Sequence, residues 1–430
     1  MIDIKLIREN PDLVKANIKK KFQGDKLPLV DKVRKLDEDW RKQKYKEDQL
    51  RSGRNKISED INRAKKAKDV KKARKLIKEA KTIPGKIAKL QANRRKLELE
   101  IVNAMIQIPN MISKQTPSGK DETKNKVVKK VGKPGKFGFK VKNHVELAES
   151  LGIADFDSSA KVSGKGFYYL KGDLALLDQA LIRFTIDFMN KKGYEYIETP
   201  LMLNEKAIYA SMDKKTIEES VYDIKDQDLH LIGTAEQSLL AMHAGEVIKE
   251  EDLPKKYFSY SMCFRKEIGS HGINEKGLWR THQFNKVEQF IFCLPKDSEK
   301  LYSELLKNSE EILKLLGIPY KVVEMCGGDL ADWKYRSHDL DVYRPTTKSY
   351  GEVMSLSNCT DYQARKLGIR YLRKNQERDF VHTLNNTALA TSRIMVAILE
   401  NNQEKNGSIK IPKVLQKYMN NKKKIERRKK

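Results

Sequence analysis

The residues best suited to chemistry lie in one stretch of the chain, from residue 257 to residue 293. Two segments in it, 257–267 and 281–293, alternate like β-strands and flank a loop with three glycines, so the sequence predicts an antiparallel hairpin. The charged and aromatic side chains that this hairpin would present to one floor are Arg265, Glu267, Phe284 and Glu288. Such a floor suits a triphosphate and a flat base.

Each of these side chains also has a purely structural explanation. The planar guanidinium of Arg265 can make two hydrogen bonds to a phosphate, but it could also pair with Glu267 in the sheet. Phe284 could stack on a base, although a phenylalanine on a strand more often belongs to the core. Glu288 and Glu236 could hold an ammonium group or remain solvated carboxylates. Single residues therefore leave both interpretations open.

A second set of candidates lies nearer the C-terminus. Glu352 and Ser355 offer the hard oxygen ligands that Mg²⁺ takes, usually with phosphates completing its shell. Residues three apart on a strand face opposite sides, so a shared ion requires a bulge or a turn. Arg393 could clamp a terminal phosphate or lie on a helix surface. We find no P-loop lysine pattern and no Gly-x-Gly-x-x-Gly after a strand, so the two commonest nucleotide-binding folds lack support.

The elements that must position these residues include a long helical arm. Apolar residues recur at spacings of three and four from residue 33 to 64 and again from 73 to 108, which is typical of a coiled-coil seam. The polar break at 65–70 favours an antiparallel hairpin, with limbs of about 35 residues on the order of 50 Å long. Four polar seam residues predict weak packing: Gln43, Glu47, Arg54 and Arg94.

Positive charge is concentrated in the arm and the C-terminal tail. Of the net charge of +28, residues 1–50 carry +4, residues 51–100 carry +12 and residues 421–430 carry +6. A localised basic element is the expected footprint of a nucleic acid, although a solvated lysine-rich surface explains the charge about as well. The candidate backbone-binding side chains of the arm are Arg51, Arg54, Arg63, Lys65, Lys66, Lys71, Lys72 and Arg74.

The chain is expected to contain four parts: an N-terminal helical arm at 1–110, a linker at 111–136, a body at 137–420 and a disordered basic tail at 421–430. Mostly consecutive strands with interspersed helices predict an α+β body around an antiparallel sheet. The last helix is expected to begin at Thr387.

Cysteine spacing and hydropathy indicate the compartment. The four cysteines lie 30, 33 and 33 residues apart, without the paired spacing of a zinc site, so buried free thiols and no zinc are expected. No uninterrupted apolar stretch is long enough to span a bilayer, and the N-terminus lacks the pattern of a signal peptide. A soluble, cytoplasmic protein without a membrane partner is therefore expected.

Six segments follow one another along the chain in a specific order. They are Thr234-Ala235-Glu236, Phe264-Arg265-Lys266-Glu267, Arg280-Thr281-His282-Gln283-Phe284-Asn285-Lys286-Val287-Glu288, Gly328-Asp329-Leu330, Glu352-Val353-Met354-Ser355, and the eleven residues from Thr383 to Arg393. Together they resemble seryl-tRNA synthetases, a family of class II aminoacyl-tRNA synthetases. The resemblance covers essentially the full chain, because that family also opens with a helical hairpin that ends in a segment like Ile108-Pro109-Asn110.

The resemblance implies a class II fold, with a six- or seven-stranded antiparallel sheet flanked by helices, in a homodimer with Pro200 at the interface. It implies an ATP-dependent ligase that converts L-serine to seryl-adenylate and loads serine onto tRNA(Ser), and in this family also onto tRNA(Sec). Mg²⁺ would accompany ATP.

The resemblance also implies roles for individual side chains. Serine would be bound by Thr234, Glu236, Arg265, Glu288, Asn385 and Thr387. For ATP, the contacts would be Arg265 at the α-phosphate, Glu267 at the adenine amino group, Phe284 on the ring and Arg393 at the γ-phosphate, with Mg²⁺ on Glu352 and Ser355. Arg265 and Arg393 would be the catalytic residues, and the loop at 268–280 would meet the tRNA acceptor end.

One departure and two rival functions stay open at this point. The third motif of the family usually has glycines around Asn386 and Ala388, where backbone meets nucleotide. Asparagine tolerates a positive φ best after glycine, so Asn386 is a mild departure, whereas Ala388 would narrow the space slightly. The chain could instead be a nucleic-acid-binding adaptor with a retired catalytic body, or an enzyme that loads a carrier other than tRNA. The complete set of contact residues argues against the adaptor, and the basic arm argues against the carrier.

Overall fold

The chain forms two compact units. The computed structural model describes residues 1–267 and 276–427, and contacts between Cα atoms divide the chain into Met1–Pro109 and Asn110–Lys430. The sequence-based boundary after residue 110 is thus one residue too late. The carboxamide of Asn110 belongs to the second unit, where it donates hydrogen bonds to the backbone carbonyls of Trp333 and Cys359 at 3.0 and 2.9 Å.

The first unit is helical. Its helices are α1 (Ile4–Glu9), α2 (Pro11–Lys20), α3 (Leu27–Lys66) and α4 (Val70–Met105). α3 and α4 pack against each other as the predicted antiparallel hairpin. The turn between them takes only three residues, because Lys68 adopts a positive φ of 57° and the side chain of Asp69 caps α4 by accepting a hydrogen bond from the backbone N–H of Lys72.

A buried carboxylate interrupts the apolar seam of this hairpin. Glu47 is only 2 % exposed, and it accepts hydrogen bonds from Arg51 on its own helix and from Gln91 and Arg94 on the other. The guanidinium of Arg94 also lies 4.7 Å from the ring centroid of Trp40. Polar side chains on the seam therefore pair across it, so the predicted weak packing is replaced here by a hydrogen-bonded cluster.

The second unit is the predicted α+β domain. Its helices are α5 (His144–Leu151), α6 (Phe156–Ser163), α7 (Asp173–Lys191), α8 (Glu205–Ser211), α9 (Lys214–Ser220), α10 (Ala235–Ala241), α11 (Ser298–Leu316), α12 (Tyr362–Leu367), α13 (Thr391–Asn401) and α14 (Lys413–Gln416). Its strands are β1 (Lys126–Val131), β2 (Ala154–Asp155), β3 (Tyr169–Leu170), β4 (Glu195–Tyr196), β5 (Met202–Leu203), β6 (His230–Leu231), β7 (Val247–Lys249), β8 (Lys255–Phe264), β9 (Gln283–Cys293), β10 (Tyr320–Glu324), β11 (Arg336–Arg344), β12 (Ser349–Thr360), β13 (Arg370–Leu372), β14 (Arg378–Phe380), β15 (His382–Ala390), β16 (Ile409–Lys410) and β17 (Lys424–Ile425).

A central sheet carries the candidate site. Within the described residues it has eight strands in the order β1-β10-β11-β12-β15-β9-β8-β4, and its pairs are antiparallel except for β4 with β8. β8 and β9 are the predicted hairpin, with Phe264 opposite Gln283 at its open end. Helices α7, α11 and α13 pack against this sheet and supply fully buried residues such as Leu181, Leu305 and Ile394 to the main core.

Three sequence-based boundaries in this unit need correction. The expected linker at 111–136 contains the edge strand β1, whose lysine-rich, exposed character is common in edge strands. The tail is not disordered over 421–427, because β17 pairs with β16 and fully buries Ile425, while residues 428–430 lie outside the described residues. The helix expected from Thr387 is α13, which begins at Thr391 and is followed by α14, so Thr387 is still on β15.

The cysteines and the hydropathy of the helices complete the description of the fold. All four cysteines are free and buried. No helix in the described ranges combines the length and apolar character that a bilayer crossing requires.

Candidate active site

One cavity of about 310 Å³ gathers the residues that the sequence singled out. Its lining comes from β9, β12 and β15, from α9 and the first turns of α10 and α13, and from the segments beside them, including the one that follows β8. The eleven predicted residues that line it are Thr234, Glu236, Arg265, Glu267, Phe284, Glu288, Glu352, Ser355, Asn385, Thr387 and Arg393. These residues span 160 positions of sequence, yet the sheet order brings their strands side by side.

The open end of the β8–β9 hairpin forms one part of the cavity. Arg265 follows β8 directly, and its guanidinium lies 5.3 Å from the ring centroid of Phe284. The Nε of Arg265 donates to the carbonyl oxygen of Gly233 at 3.2 Å, and within residues 1–267 and 276–427 its two terminal nitrogens make no hydrogen bond, so they can bind a ligand. Glu267 adopts a positive φ of 51° and lies 3.7 Å from the guanidinium of Arg280. The predicted arginine, aromatic ring and carboxylate therefore share one floor.

A buried acidic pocket forms the second part. Thr234 caps α10, which places Glu236 in the first turn, while Glu288 projects from β9. The Nδ2 of Asn385 bridges the two carboxylates, donating to Glu236 at 3.0 Å and to Glu288 at 3.1 Å. The Nζ of Lys286 donates to Thr234 Oγ1 at 2.7 Å and lies 2.8 Å from Glu288. This pocket has two carboxylates for one ammonium group.

The charge balance of this pocket favours a further cation. Burial, followed by repulsion from Glu288, raises the pKa of Glu236 to about 7, although a hydrogen bond from Gln363 and the charges of Lys286 and Lys334 oppose that rise. In addition, the Oδ1 of Asn385 is buried and has no hydrogen-bond partner within residues 1–267 and 276–427. An unpaired acceptor between two carboxylates is suited to a ligand that donates hydrogen bonds.

A bulge in β12 forms the third part. In the register with β11, Ser355 lies opposite Asp339 and Met354 opposite Leu340, but Glu352 lies opposite Asp341, so Val353 is an extra residue. The extra residue changes the alternation, and both Glu352 and Ser355 therefore reach the cavity. This is the irregularity that a shared metal ion requires at these two positions.

The donors beside this bulge fit a Mg²⁺ ion that takes the rest of its shell from phosphates. No group of three or more His, Cys, Asp or Glu side chains in the described residues is arranged to hold a metal alone. However, burial and the nearby Glu352 raise the pKa of Asp339 to about 7, and the Oδ1 of Asp339 is buried without a hydrogen-bond partner in the described part of the chain. Crowded carboxylates with an unpaired oxygen are an environment that a cation relieves.

Arg393 enters the cavity from the first turn of α13. Its Nε donates to the carbonyl oxygen of Trp279 at 3.2 Å, and its Nη1 donates to that of Glu352 at 2.7 Å. The guanidinium carbons of Arg393 and Arg344 lie 5.4 and 4.4 Å from the ring centroid of Trp279. A Cβ at Gly351 would come within 2.4 Å of the same ring, so a glycine is needed there.

The doubt about the third motif is resolved by the direction of two side chains. Asn386 is fully buried away from the cavity, where its Nδ2 donates to Leu305 and Ser309 of α11 at 2.8 Å. Ala388 is the extra residue of a bulge between β15 and β9 and does not line the cavity. Neither side chain lines the described cavity, so Ala388 does not narrow it there.

Several residues of the cavity were not given a role from sequence. Lys286 shares the face of Phe284 and Glu288 on β9, so strand alternation offered a signal, but a strand lysine is usually solvent-exposed. Trp279 and Lys334 gave no signal, since each follows an irregular segment. Behind the cavity lining, Gln363 touches Glu236 from 127 positions along the chain, a contact that only the fold reveals.

The eight basic residues predicted on the arm are all exposed. They lie along the distal parts of α3 and α4 on either side of the turn at 67–69. Two of them take part in ion pairs on their own helix, Arg51 with Glu47 and Arg63 with Asp60. The loop segment 268–275, predicted to meet an acceptor end, lies outside the described residues.

Two family models match the chain. One, described as the seryl-tRNA synthetase N-terminal domain, matches residues 1–112, and the other, described as the tRNA synthetase class II core domain (G, H, P, S and T), matches residues 217–402. A serine–tRNA ligase from Methanospirillum hungatei is 45 % identical over 424 residues, which cover 98 % of this chain and 99 % of that protein.

Solved structures agree with this similarity over the full length. A crystal structure of seryl-tRNA synthetase from Pyrococcus horikoshii complexed with ATP has a TM-score of 0.94 at 40 % identity and covers 100 % of both chains. The cytoplasmic serine–tRNA ligase of Naegleria fowleri in complex with AMP has a TM-score of 0.89 at 34 % identity, covering 100 % of this chain and 99 % of that one.

Proposed function

Because this chain belongs to the seryl-tRNA synthetase family, it is an ATP-dependent serine–tRNA ligase, and we propose specific roles for the residues of its cavity. The observation that carries the proposal is the division of one cavity into three parts: a phosphate and base floor, an acidic pocket and a carboxylate–hydroxyl pair. The acidic pocket matches the ammonium and hydroxyl groups of serine. The floor matches the base and the phosphates of ATP, and the carboxylate–hydroxyl pair matches the Mg²⁺ ion that accompanies them.

The acidic pocket binds serine. The ammonium group of serine pairs with Glu236 and with Thr234. The hydroxyl group of serine is held by Glu288 and Thr387, and the Oγ1 of Thr387 lies 3.4 Å from Glu288 Oε2. The unpaired Oδ1 of Asn385 accepts one of the remaining hydrogens. Because these polar groups are buried, an amino acid without the hydroxyl would leave them unpaired, which is an effective way to reject alanine.

The floor of the cavity binds ATP. Phe284 stacks on adenine, Glu267 accepts a hydrogen bond from its amino group, and Arg393 binds the γ-phosphate. Glu352 and Ser355 would hold Mg²⁺, which would offset negative charge on the phosphates. The bulge at residue 353 supports this pairing because it brings both side chains to the cavity.

Arg265 acts on both substrates. A serine carboxylate oxygen attacks the α-phosphorus, a new O–P bond forms, and the bond to the β-phosphate oxygen breaks to release diphosphate. The pentacoordinate transition state carries extra negative charge, and Arg265 stabilises it with its two terminal nitrogens, since its hydrogen bond to Gly233 uses only Nε. No general base is needed, because the carboxylate is already a nucleophile. A terminal hydroxyl of tRNA then attacks the seryl carbonyl, and AMP leaves.

The arm and the dimer complete the proposal. The exposed cations of the distal arm bind the tRNA backbone without reading its sequence. A homodimer forms around Pro200, a site supported by the exposed apolar side chains of Leu201 and Met202 beside it. tRNA(Sec) is a second substrate by family resemblance, and the cytoplasm is the expected location.

Serine-dependent exchange of diphosphate into ATP, measured beside charging of tRNA(Ser), tests these roles. Glu236→Gln should raise the KM for serine at least tenfold and leave the KM for ATP within about twofold, since it removes a charged hydrogen bond of about 1.5–3 kcal/mol. An unchanged KM for serine in that variant would rule out the role of Glu236. Exchange without charging would instead favour a carrier other than tRNA.

A further inference from the structure

A glutamine outside the cavity donates a hydrogen bond to a carboxylate of the acidic pocket. Gln363 lies on α12, is fully buried and does not line the cavity. Its Nε2 donates to Glu236 Oε1 at 2.8 Å and to the backbone carbonyl of Ser211 at 2.9 Å. The other oxygen of Glu236 accepts the hydrogen bond from Asn385. Two amides, one on α12 and one on β15, therefore fix both oxygens of this carboxylate.

The orientation of this amide is itself determined. The Oγ1 of Thr383, which is also fully buried, donates to Gln363 Oε1 at 2.7 Å. The backbone carbonyl of Ser211 and the carboxylate of Glu236 can only accept hydrogen bonds, so the N–H groups of Gln363 must point to them, and Thr383 donates to the remaining amide oxygen. The amide then uses both donors and its acceptor, and a rotated amide would place an oxygen against a carboxylate.

We propose that Gln363, supported by a hydrogen bond from Thr383, is a positioning residue for serine: its amide holds the Glu236 carboxylate where it accepts the ammonium group of the amino acid. The inference rests on the proposed role of Glu236 in serine binding. It adds a relay of two buried hydrogen bonds, from Thr383 on β15 to Gln363 on α12 and from Gln363 to Glu236 on α10. None of the six sequence segments contains all three residues. We expect the relay to act on serine and not on ATP, because within residues 1–267 and 276–427 the side chains of Gln363 and Thr383 do not line the cavity and reach it through Glu236.

The charges around Glu236 give the relay a measurable effect. The amides of Gln363 and Asn385 donate hydrogen bonds to this carboxylate. Among the described residues, the titratable groups that interact electrostatically with it are Glu288, Lys286, Lys334 and Cys359. Burial and Glu288 raise the pKa of Glu236 to about 7, and the hydrogen bond from Gln363 lowers it toward that value. The carboxylate form binds an ammonium, so kcat/KM for serine should fall as pH drops through this pKa. Loss of the amide would raise the pKa further and move this decline to higher pH.

Gln363→Met tests the relay most directly, because methionine has a similar shape and no strong hydrogen-bond donor. We expect the KM for serine at pH 7 to rise about 10- to 100-fold, the range for a hydrogen bond to a charged group. The KM for ATP should stay within about twofold, and the acid side of the pH profile of kcat/KM for serine should move to higher pH. Equal increases in both KM values, or an unmoved pH profile, would overturn the inference.

A matched pair at Thr383 keeps the test valid if Gln363→Met fails to fold. Thr383→Ser retains the hydroxyl and should keep the native KM for serine and the native pH profile. Thr383→Val retains the shape but leaves the buried amide oxygen of Gln363 without its donor, so it should raise the KM for serine and shift the profile in the same direction as Gln363→Met. Identical kinetics in the Ser and Val variants would overturn the relay. Melting curves check that both are folded.

Glu236→Gln separates this inference from the function on which it rests. If Glu236→Gln leaves the KM for serine unchanged, the proposed role of Glu236 fails. If Glu236→Gln weakens serine binding while Gln363→Met and Thr383→Val do not, only the relay fails.

Discussion

The stacking of Arg393 on Trp279 predicts a defect that affects ATP and spares serine. Trp279→Leu removes the aromatic ring but keeps the backbone carbonyl that accepts the hydrogen bond from Arg393 Nε. The variant therefore isolates the contribution of the ring. Trp279→Phe is the matched control, because it keeps an aromatic face at the same position.

The expected magnitude follows from the geometry of the ring contact. The guanidinium carbon of Arg393 lies 5.4 Å from the ring centroid, within the range of a cation–π contact, and its side chain is 25 % exposed. A partly desolvated contact of this kind contributes about 1–2 kcal/mol. If that energy holds Arg393 at the γ-phosphate, Trp279→Leu raises the KM for ATP by roughly 5- to 30-fold. Trp279→Phe should raise it by less than about threefold.

Diphosphate exchange at varied ATP and saturating serine measures this effect. The KM for serine should stay near the native value in both variants, because the acidic pocket does not include Trp279. Melting temperatures are needed beside the kinetics, since Arg344 also stacks on this ring at 4.4 Å and the Leu variant loses that contact too. The reasoning is refuted if folded Leu and Phe variants have the same KM for ATP, or if the KM for serine rises as much as that for ATP.

Three further predictions concern the floor, the arm and the core. Arg265→Ala should lower exchange by about 10²–10³-fold through loss of transition-state stabilisation, whereas native exchange in that variant would show that the arginine does not act at the α-phosphate. Replacing residues 51–90 by a short turn trims both limbs of the arm at one level, because Glu47 faces Gln91 across the hairpin; exchange should persist while charging of tRNA(Ser) falls, and equal loss of both would mean that the arm serves folding alone. Burial favours the neutral form of Glu400, but hydrogen bonds from His144, Arg344 and Thr346 outweigh it and lower the pKa of Glu400 from 4.5 to about 2. Its stabilising contribution is complete above about pH 5 and is lost as pH falls toward 2, so Glu400→Gln should lower the free energy of unfolding by about 3 kcal/mol at pH 7. Denaturant titrations should find a smaller difference from the native protein at pH 3, and a constant difference would contradict the assignment.

Much of the architecture follows from local patterns. Repeated spacings of three and four predict the two long helices, because the seam must face one partner along its whole length. Strand alternation predicts the β8–β9 hairpin and the shared face of Phe284, Lys286 and Glu288. The same alternation fails at the edge strand β1, where lysines on an exposed surface have the composition of a linker.

The rest depends on contacts between distant parts of the chain. Alternation places Glu352 and Ser355 on opposite sides of a strand, and only the pairing of β12 with β11 reveals the extra residue that brings them together. Helical propensity alone places the predicted start of this helix at Thr387. Pairing with β9 instead keeps residues 382–390 in a strand. Gln363 has no local signal at all, since its partners come from three other elements.

The buried carboxylate of Glu47 has a consequence for the register of the two arm helices. Glu47 faces Gln91 and Arg94 in one relative position of α3 and α4 only. Sliding one helix by a heptad, about 10 Å at 1.5 Å per residue, would preserve apolar contacts but separate the acid from its partners. A single polar group on a seam is a known device for specifying register. Glu47 therefore fixes the register of α3 against α4, and with it which residues of the two helices lie side by side on either side of the turn at 67–69.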